Sequence, residues 1–310
     1  MLATMPLSVV ELREAVRDGR RVDTSRLNRI LGIDAARGLL EVQAATPWQS
    51  IAAEMRPGDE RAAKVATTLP TVGESIARNA AGPDGNATVS HVASFTVVMP
   101  DGELRRVSRH RDPELFALTV GGQGLFGTMY SVTLHIPTLA RTVEKQARPQ
   151  VIKLQPQGAA RQKLHLLVPP EGVEAFVRET DDRCDDWRIA LQSVTLRSTA
   201  REDETYLCWA RREYTHVRLC LDRPAGLGGA VRSAQLRREL IDAAISAGGS
   251  FPIACTPEAT REQTEACYPQ LKAFLEEKRR FDPHEKLVNA WYLHHRELVR
   301  RESVEVRWSL

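Results

Sequence analysis

Residues 71–82, Thr71-Val72-Gly73-Glu74-Ser75-Ile76-Ala77-Arg78-Asn79-Ala80-Ala81-Gly82, and 120–127, Val120-Gly121-Gly122-Gln123-Gly124-Leu125-Phe126-Gly127, are two glycine clusters framing a β-rich stretch. Glycine lets a backbone adopt positive φ and come close to a ligand, offering N–H groups to a phosphate or a ring edge. Neither cluster is a common nucleotide loop. A P-loop needs G-x-x-x-x-G-K-[ST], and a Rossmann turn needs G-x-G-x-x-G between a strand and a helix. Gly122, Gly124 and Gly127 satisfy the second set of letters, but the β-branched run Thr128–Ile136 follows where a helix is required, which rejects a Rossmann site. On spacing alone, two turn-forming clusters beside hairpins are an equal reading.

Between the clusters, Ser94–Met99 reads as a strand, Pro100-Asp101-Gly102-Glu103 as a hairpin turn and Leu104–Val107 as the return strand. Asp112-Pro113-Glu114-Leu115-Phe116 opens a short helix, with Asp as cap and Pro at the first position. Upstream, Ser8 with Glu11 three residues on caps an amphipathic helix carrying Leu12, Ala15 and Val16. Gly38–Ala44 is a short strand, and Pro47-Trp48 opens a helix. Downstream of Thr138 the chain becomes more charged, which places a domain boundary near residue 140. Leu164–Val168, Val194–Arg197, Tyr206–Trp209 and His216–Leu221 read as strands of an antiparallel sheet, and Pro169–Val177 as the start of a helix. Arg232–Ala247 and roughly 261–280 read as two more helices, the first stopped by Gly248-Gly249.

Composition narrows the classes. Of 310 residues, 42% are hydrophobic and 27% charged, which excludes disorder, collagen and coiled coil. Lys and Arg number 43 against 40 Asp and Glu, with no basic tail, so nucleic acid is not expected as a partner. The cations are mostly Arg, a bias read first as codon composition and second as a phosphate-binding surface. Five Cys without a C-x-x-C pair argue against a disulfide framework or a zinc site and for a reducing cytosol. No cationic and apolar leader and no long apolar run occurs, so neither a signal peptide nor a membrane span is expected.

In order and spacing, Thr71–Ala80, the Pro100–Glu103 hairpin, the Asp112–Phe116 helix and Val120–Gly127 resemble the FAD-linked oxidases with a vanillyl-alcohol-oxidase (PCMH) type flavin domain. Asp23–Asn28 and Val42–Trp48 look like that domain's elements before its glycine loop. Gly248–Phe251, Ala259–Gln263, Cys267-Tyr268-Pro269 and Lys278–Pro283 resemble the tail of the branch with decaprenyl-phosphoribose and sugar-lactone oxidases. The resemblance implies an α+β fold: a PCMH-type FAD-binding domain over 1–139, an α+β substrate (cap) domain with an antiparallel sheet over 140–282, and a tail over 283–310 returning to the FAD domain. It further implies non-covalent FAD and oxidation of an alcohol on a sugar, polyol or lactone by hydride transfer to flavin N5. The substrate is then a small molecule, and the acceptor of electrons is left open. Backbone of Thr71, Val72, Gly73, Ser75, Ala77, Asn79, Gly121, Gly122 and Gly124 would face the cofactor, with Arg280 and Lys286 as candidates to sit by the isoalloxazine or an anionic substrate group. Tyr268, His284 and Lys286 are the candidates for the base or the cation at the reacting end.

Three residue-level departures accompany the resemblance. Asp18–Asp23 runs straight to Thr24, where the family carries a strand and a Gly-rich loop that holds the pyrophosphate. Each charge-assisted N–H lost there would remove about 1.5–3 kcal/mol. Glu74 stands at a family glycine, and Ala81 stands where relatives often carry a histidine, so no covalent flavin is expected there. These departures support an alternative, a flavin-free relative acting as a binding or partner protein or catalysing non-redox chemistry in the former cleft. Other candidates have plainer readings. His91 either approaches the flavin or bonds a backbone carbonyl. His294 and His295 point to different faces, so a two-histidine metal site is not expected. Cys208 and Cys220 read as small residues in strand cores, and Asp181-Asp182 with Asp185-Asp186 as a solvated turn.

Overall fold

The structure, a computed structural model, describes residues 3–55, 71–82, 85–139, 150–151 and 161–300. Helix α1 (Val9–Arg17) begins as the Ser8/Glu11 spacing predicts: Ser8 Oγ accepts the Glu11 N–H at 3.3 Å, and the Glu11 carboxylate reaches back to the Leu7 N–H at 2.9 Å. Its buried face is Leu12, Ala15 and Val16, of which Leu12 and Val16 pack with Leu27 and Val98 in a small apolar cluster. Strands β1 (Ile30–Asp34) and β2 (Leu39–Gln43) form a hairpin, and α2 (Trp48–Met55) follows. The glycine cluster at 71–82 is helical at its centre. Helix α3 (Val72–Ala77) is capped by Thr71, whose hydroxyl accepts the Glu74 N–H.

β3 (Val92–Val98) and β4 (Leu104–Ser108) are the expected hairpin, closed by Gly102 at φ +86°. α4 (Pro113–Thr119) starts at Pro113 as read, but Asp112 is itself left-handed and makes no side-chain cap, so the proline alone sets the first turn. β5 (Thr128–His135) then inserts between β2 and β3, giving an antiparallel five-stranded sheet of order β1-β2-β5-β3-β4. Phe95 stacks on Phe116 at 5.4 Å, anchoring α4 to that sheet.

The second sheet has order β6-β8-β9-β7, from β6 (Gln150–Val151), β7 (Arg161–Val168), β8 (Leu191–Thr199) and β9 (Tyr214–Asp222). All pairs are antiparallel. Period-2 alternation sends Leu164, Leu166, Val168, Val217, Leu219 and Leu221 to one buried face. Helices α5 (Val173–Asp186) and α6 (Gly226–Ser246) contact this sheet. The four aspartates 181, 182, 185 and 186 lie inside α5, correcting the reading of a turn.

By chain contacts the molecule divides into two units: Met1–Gln146 with Glu204–Leu207 and Lys272–Arg296, and Ala147–Asp203 with Cys208–Leu271 and Glu297–Leu310. The composition boundary near residue 140 falls outside the described residues. Tyr206–Trp209 is not a strand. Its first two residues belong to the segment that counts with the first unit, where the Tyr206 N–H donates to the Ala117 carbonyl at 2.9 Å and so has no sheet partner. The helix expected over 261–280 is two helices, α7 (Arg261–Cys267) and α8 (Leu271–Phe281), broken at Tyr268-Pro269-Gln270. Pro269 has no N–H to continue the ladder. α9 (Ala290–Arg300) completes the described chain. No described helix is long and apolar enough to cross a membrane.

Candidate functional site

A cleft of about 940 Å³ opens within the first unit. Its floor is built from the two glycine clusters: Thr71, Gly73, Glu74 and Ala77 from the start of α3, and Gly124, Leu125 and Gly127 before β5. One wall is the short connection after α1, residues 19–25, and the other is the tail segment 286–289. That volume lies in the range of small-molecule and cofactor sites.

Close packing explains why α3 sits at the floor. A Cβ on Gly73 would lie 2.8 Å from the Ala44 carbonyl oxygen and 2.9 Å from the Ala44 Cβ, so only glycine lets α3 reach the end of β2. The Gly73 N–H donates to that same carbonyl at 2.7 Å. The neighbouring N–H groups are also turned into the protein: Val72 to Thr46 O at 3.1 Å, Glu74 to Thr71 Oγ1, Ser75 to Thr71 O. Across the floor, the Gly121 and Gln123 N–H groups donate to Ile76 O and Ala77 O. Gly124 differs. At φ +74° a Cβ there would meet nothing within 4 Å, so this turn presents bare backbone to the cleft.

The returning tail is pinned from beneath. Asp282, fully buried, accepts the Lys278 ammonium at 2.5 Å and the N–H groups of Lys286 at 3.0 Å and Leu287 at 2.8 Å. Burial works to raise its pKa, but the hydrogen bonds from Lys278, Leu287 and Lys286 outweigh it and hold the carboxyl below its ordinary range. Lys278, also fully buried, lies 5.4 Å over the Tyr292 ring. Asn289 ties the next turn down, donating to Gln123 O at 2.8 Å and accepting the Tyr292 N–H at 2.9 Å. Lys286 Nζ donates to Arg17 O at 2.8 Å and Pro100 O at 2.9 Å, leaving one of its three donors for a group in the cleft.

Of the residues the sequence singled out, Thr71, Gly73, Ala77, Gly124 and Lys286 come together around this cleft. Val72, Ser75 and Asn79 are buried in the packing beneath it. Ser75 Oγ accepts from Trp48 Nε1 at 2.8 Å, and Asn79 Oδ1 accepts the Val89 N–H at 3.1 Å. Gly122 is required by its turn, since a Cβ there would run into Leu118 O. Arg280 is exposed and pairs with Glu114 and Glu277 at 2.7 and 2.6 Å, and His284 lies in a neighbouring groove with Arg280 and Lys286. Tyr268 belongs to the second unit. It is fully buried, donates to Phe251 O and accepts the Ile253 N–H, and burial raises its pKa, so its proton is not available to a substrate.

His91 is buried at the end of a 3-10 turn, Thr88–His91, and does not line the cleft. Cys208 and Cys220 do not sit in strand cores: Cys208 is in a loop, its thiol donating to Glu202 O and pushed up to about 12 mainly by burial, and Cys220 is on the polar face of β9. Among the cleft residues missed in the sequence are the polar ones Arg20, Arg21, Thr24, Ser25, Thr119 and Asn289. Only Asn289 carried a local signal, as a cap residue ahead of an apolar-periodic run.

This geometry fits a dinucleotide flavin in size and in the bare backbone at Gly124. It does not offer a backbone phosphate cradle at α3, because those N–H groups are engaged within the fold. Counter-charge for a pyrophosphate must come from side chains that line the cleft: Arg20, which also pairs with Asp18 at 3.1 Å, Arg21 and Lys286.

Residues 8–108 match the protein family described as FAD binding domain. No curated protein matches the sequence. Among solved structures, the fold is similar to a variant of Physcomitrella patens BBE-like 1, with a TM-score of 0.64, 10% identity, and 92% of this chain aligned with 89% of that one. The fold is therefore the expected α+β arrangement, a PCMH-type FAD-binding domain followed by a part built on an antiparallel sheet, and FAD is the cofactor of the matched segment.

Proposed function

We propose that the chain is an FAD-dependent oxidoreductase that oxidises an alcohol group of a sugar, polyol or lactone. The observation that carries this reading is the cleft within the first unit, whose floor and first wall fall mainly on or beside the segment matched to the FAD binding domain. Bound flavin supplies the hydride acceptor at N5, and the hydride comes from the carbinol carbon. The chain's residues do the rest. Gly124 would offer bare backbone to a cofactor held in the cleft, and the tail, fixed by Asp282 and Asn289, closes the second wall. Lys286 places its remaining N–H and its charge toward negative charge in the cleft. The hydroxyl proton leaves as the hydride does; of the candidates to take it, His284 lies in the groove beside the cleft and not in its lining, so it would need the substrate to reach that groove.

The engaged N–H groups at Val72–Ser75 and the short connection at 18–24 favour a second reading, a flavin-free relative that binds another ligand in the same cleft. Anaerobic addition of sugars, polyols and sugar lactones to FAD-loaded protein separates the two. Bleaching of the visible flavin band by one class supports the oxidoreductase. Retained flavin that no alcohol bleaches rejects that substrate class.

A further inference from the structure

The second sheet has a face that the redox reading leaves unused. Opposite its apolar side, β7 carries Lys163 and His165, β9 carries His216, Arg218 and, at its end, Asp222, whose carboxylate accepts Gln192 Nε2 at 2.8 Å, and β8 carries Thr195 and Arg197. The register brings them together: His165 lies opposite Arg218, Arg218 opposite Thr195, and His216 opposite Arg197. His165 Nδ1 and His216 Nε2 are 3.0 Å apart, one hydrogen shared diagonally across the β7–β9 pair. Arg218 donates to Thr195 Oγ1 at 3.3 Å, and neither Arg218 nor Lys163 has a carboxylate partner among the described residues.

Beside burial, the charges that lower the two imidazoles are Arg218, Lys163 and Arg237 on His165, and His165, Arg197 and Arg218 on His216; of these, Arg237 is paired with Glu258. A structural ion network would interleave carboxylates among so many cations. Here three strands contribute cations and imidazoles to one half-buried patch, and among the described residues no carboxylate pairs with Lys163 or Arg218.

We propose that this face is an oxyanion-binding site, taking the carboxylate or phosphate monoester of a small molecule through Arg218 and Lys163, with the His165–His216 pair as its floor. Arg218 supplies a planar fork suited to two oxygens of one group, and Lys163 supplies a point charge two residues along β7 from His165. In the empty site burial and the surrounding cations push His165 down to about 4 and His216 down to about 3, so the pair is uncharged near neutrality. An anion seated among the same groups opposes that push and draws a proton onto the pair. The site lies wholly in the second unit and requires no flavin, so it stands or falls independently of the redox reading.

The test uses the full-length chain without added flavin. Ring signals of His165 and His216, assigned by single substitution, are followed by NMR during separate titrations with inorganic phosphate and with acetate near pH 6.5. Saturable movement of these two histidines toward the charged form with either anion is the expected result, and the stronger titrant identifies the ligand's headgroup. Arg218→Gln should weaken the response roughly tenfold or more, the equivalent of one charge-assisted contact. Arg218→Lys, which keeps the charge, should retain part of it and guards against a folding defect in the first variant. Unmoved histidine signals with both anions overturn the proposal, as does an undiminished response in a folded Arg218→Gln protein.

Discussion

Replacing Asp282 with alanine removes the acceptor of a fully buried lysine. Lys278 and Asp282 are 0% and 1% exposed at their side chains and 2.5 Å apart, and two backbone N–H groups depend on the same carboxylate. Breaking one side of such a pair typically costs about 3–5 kcal/mol, because the other charge is left uncompensated in low dielectric. The Tyr292 ring, 5.4 Å from Lys278 Nζ, keeps some favourable contact, which places the expected loss near the lower end, about 3 kcal/mol. With urea slopes of about 1–3 kcal/mol per molar, the unfolding midpoint of the first unit should fall by roughly 1–3 M.

Hydrogen exchange gives the local half of the assay: amides of 282–300 should lose protection before those of the five-stranded sheet. The double variant Lys278→Met with Asp282→Leu should be markedly less destabilised than Asp282→Ala, since it removes both charges at once. The sign with pH follows from the lowered pKa. The carboxylate's contribution is fully present above its ordinary value of 3.8 and is lost as pH falls through the lower folded value, so Asp282→Ala should also flatten the acid limb. A single-variant loss below about 1 kcal/mol, or a double variant worse than the single, would refute the view that this pair fastens the tail.

Two further predictions rest on other parts of the structure. His165, His216 and His295 are pushed down to about 4, 3 and 4, chiefly by burial, so in the folded state they stay neutral where the unfolded chain takes up protons. Stability should therefore be full above about pH 6.5 and fall as pH drops toward 4, by up to about 1.4 kcal/mol per pH unit for each histidine before solvent screening is discounted. Urea midpoints measured across that range should show the fall, and His165→Asn with His216→Asn should make it shallower. Gly73→Ala should destabilise by about 1–3 kcal/mol, because its Cβ meets the backbone and Cβ of Ala44. Gly124→Ala meets no atom and should cost only the strain of a left-handed residue, about 1–2 kcal/mol. Thermal unfolding checks the first value, and a Gly73→Ala protein as stable as the parent would show that the floor is not built on this close approach.

Local chemistry made some of the fold legible and tertiary contacts hid the rest. The Ser8 cap, the Gly102 hairpin and the Pro113 helix start are each decided within a few residues, and each appears where its sequence places it. Tyr206–Trp209 has the alternation of a strand, but its backbone partner is Ala117, almost ninety residues earlier in the chain, so no local pattern could exclude it from the sheet. The helix inside the glycine cluster was obscured by Gly73, which is there for packing on Ala44 and not for a turn.

The candidate site divides in the same way. Thr71, Gly73, Ala77, Gly124 and Lys286 were readable as a set because the family resemblance orders them along the chain. Arg20 and Arg21 were not, because what makes them cleft residues is the shortness of the connection after α1, which brings Thr4 and Val22 side by side as a parallel bridge. The His165–His216 contact depends on the register of β7 against β9 and has no trace in either strand alone.

The most direct test of the central claim is retention of FAD by the purified chain after excess flavin is removed, read from the visible absorbance and paired with hydrogen exchange of the cleft segments. The account predicts flavin bands that stay with the protein at about one equivalent, with new protection at 19–25, 71–77 and 286–289. A colourless protein, or retained flavin that protects none of these segments, would contradict it.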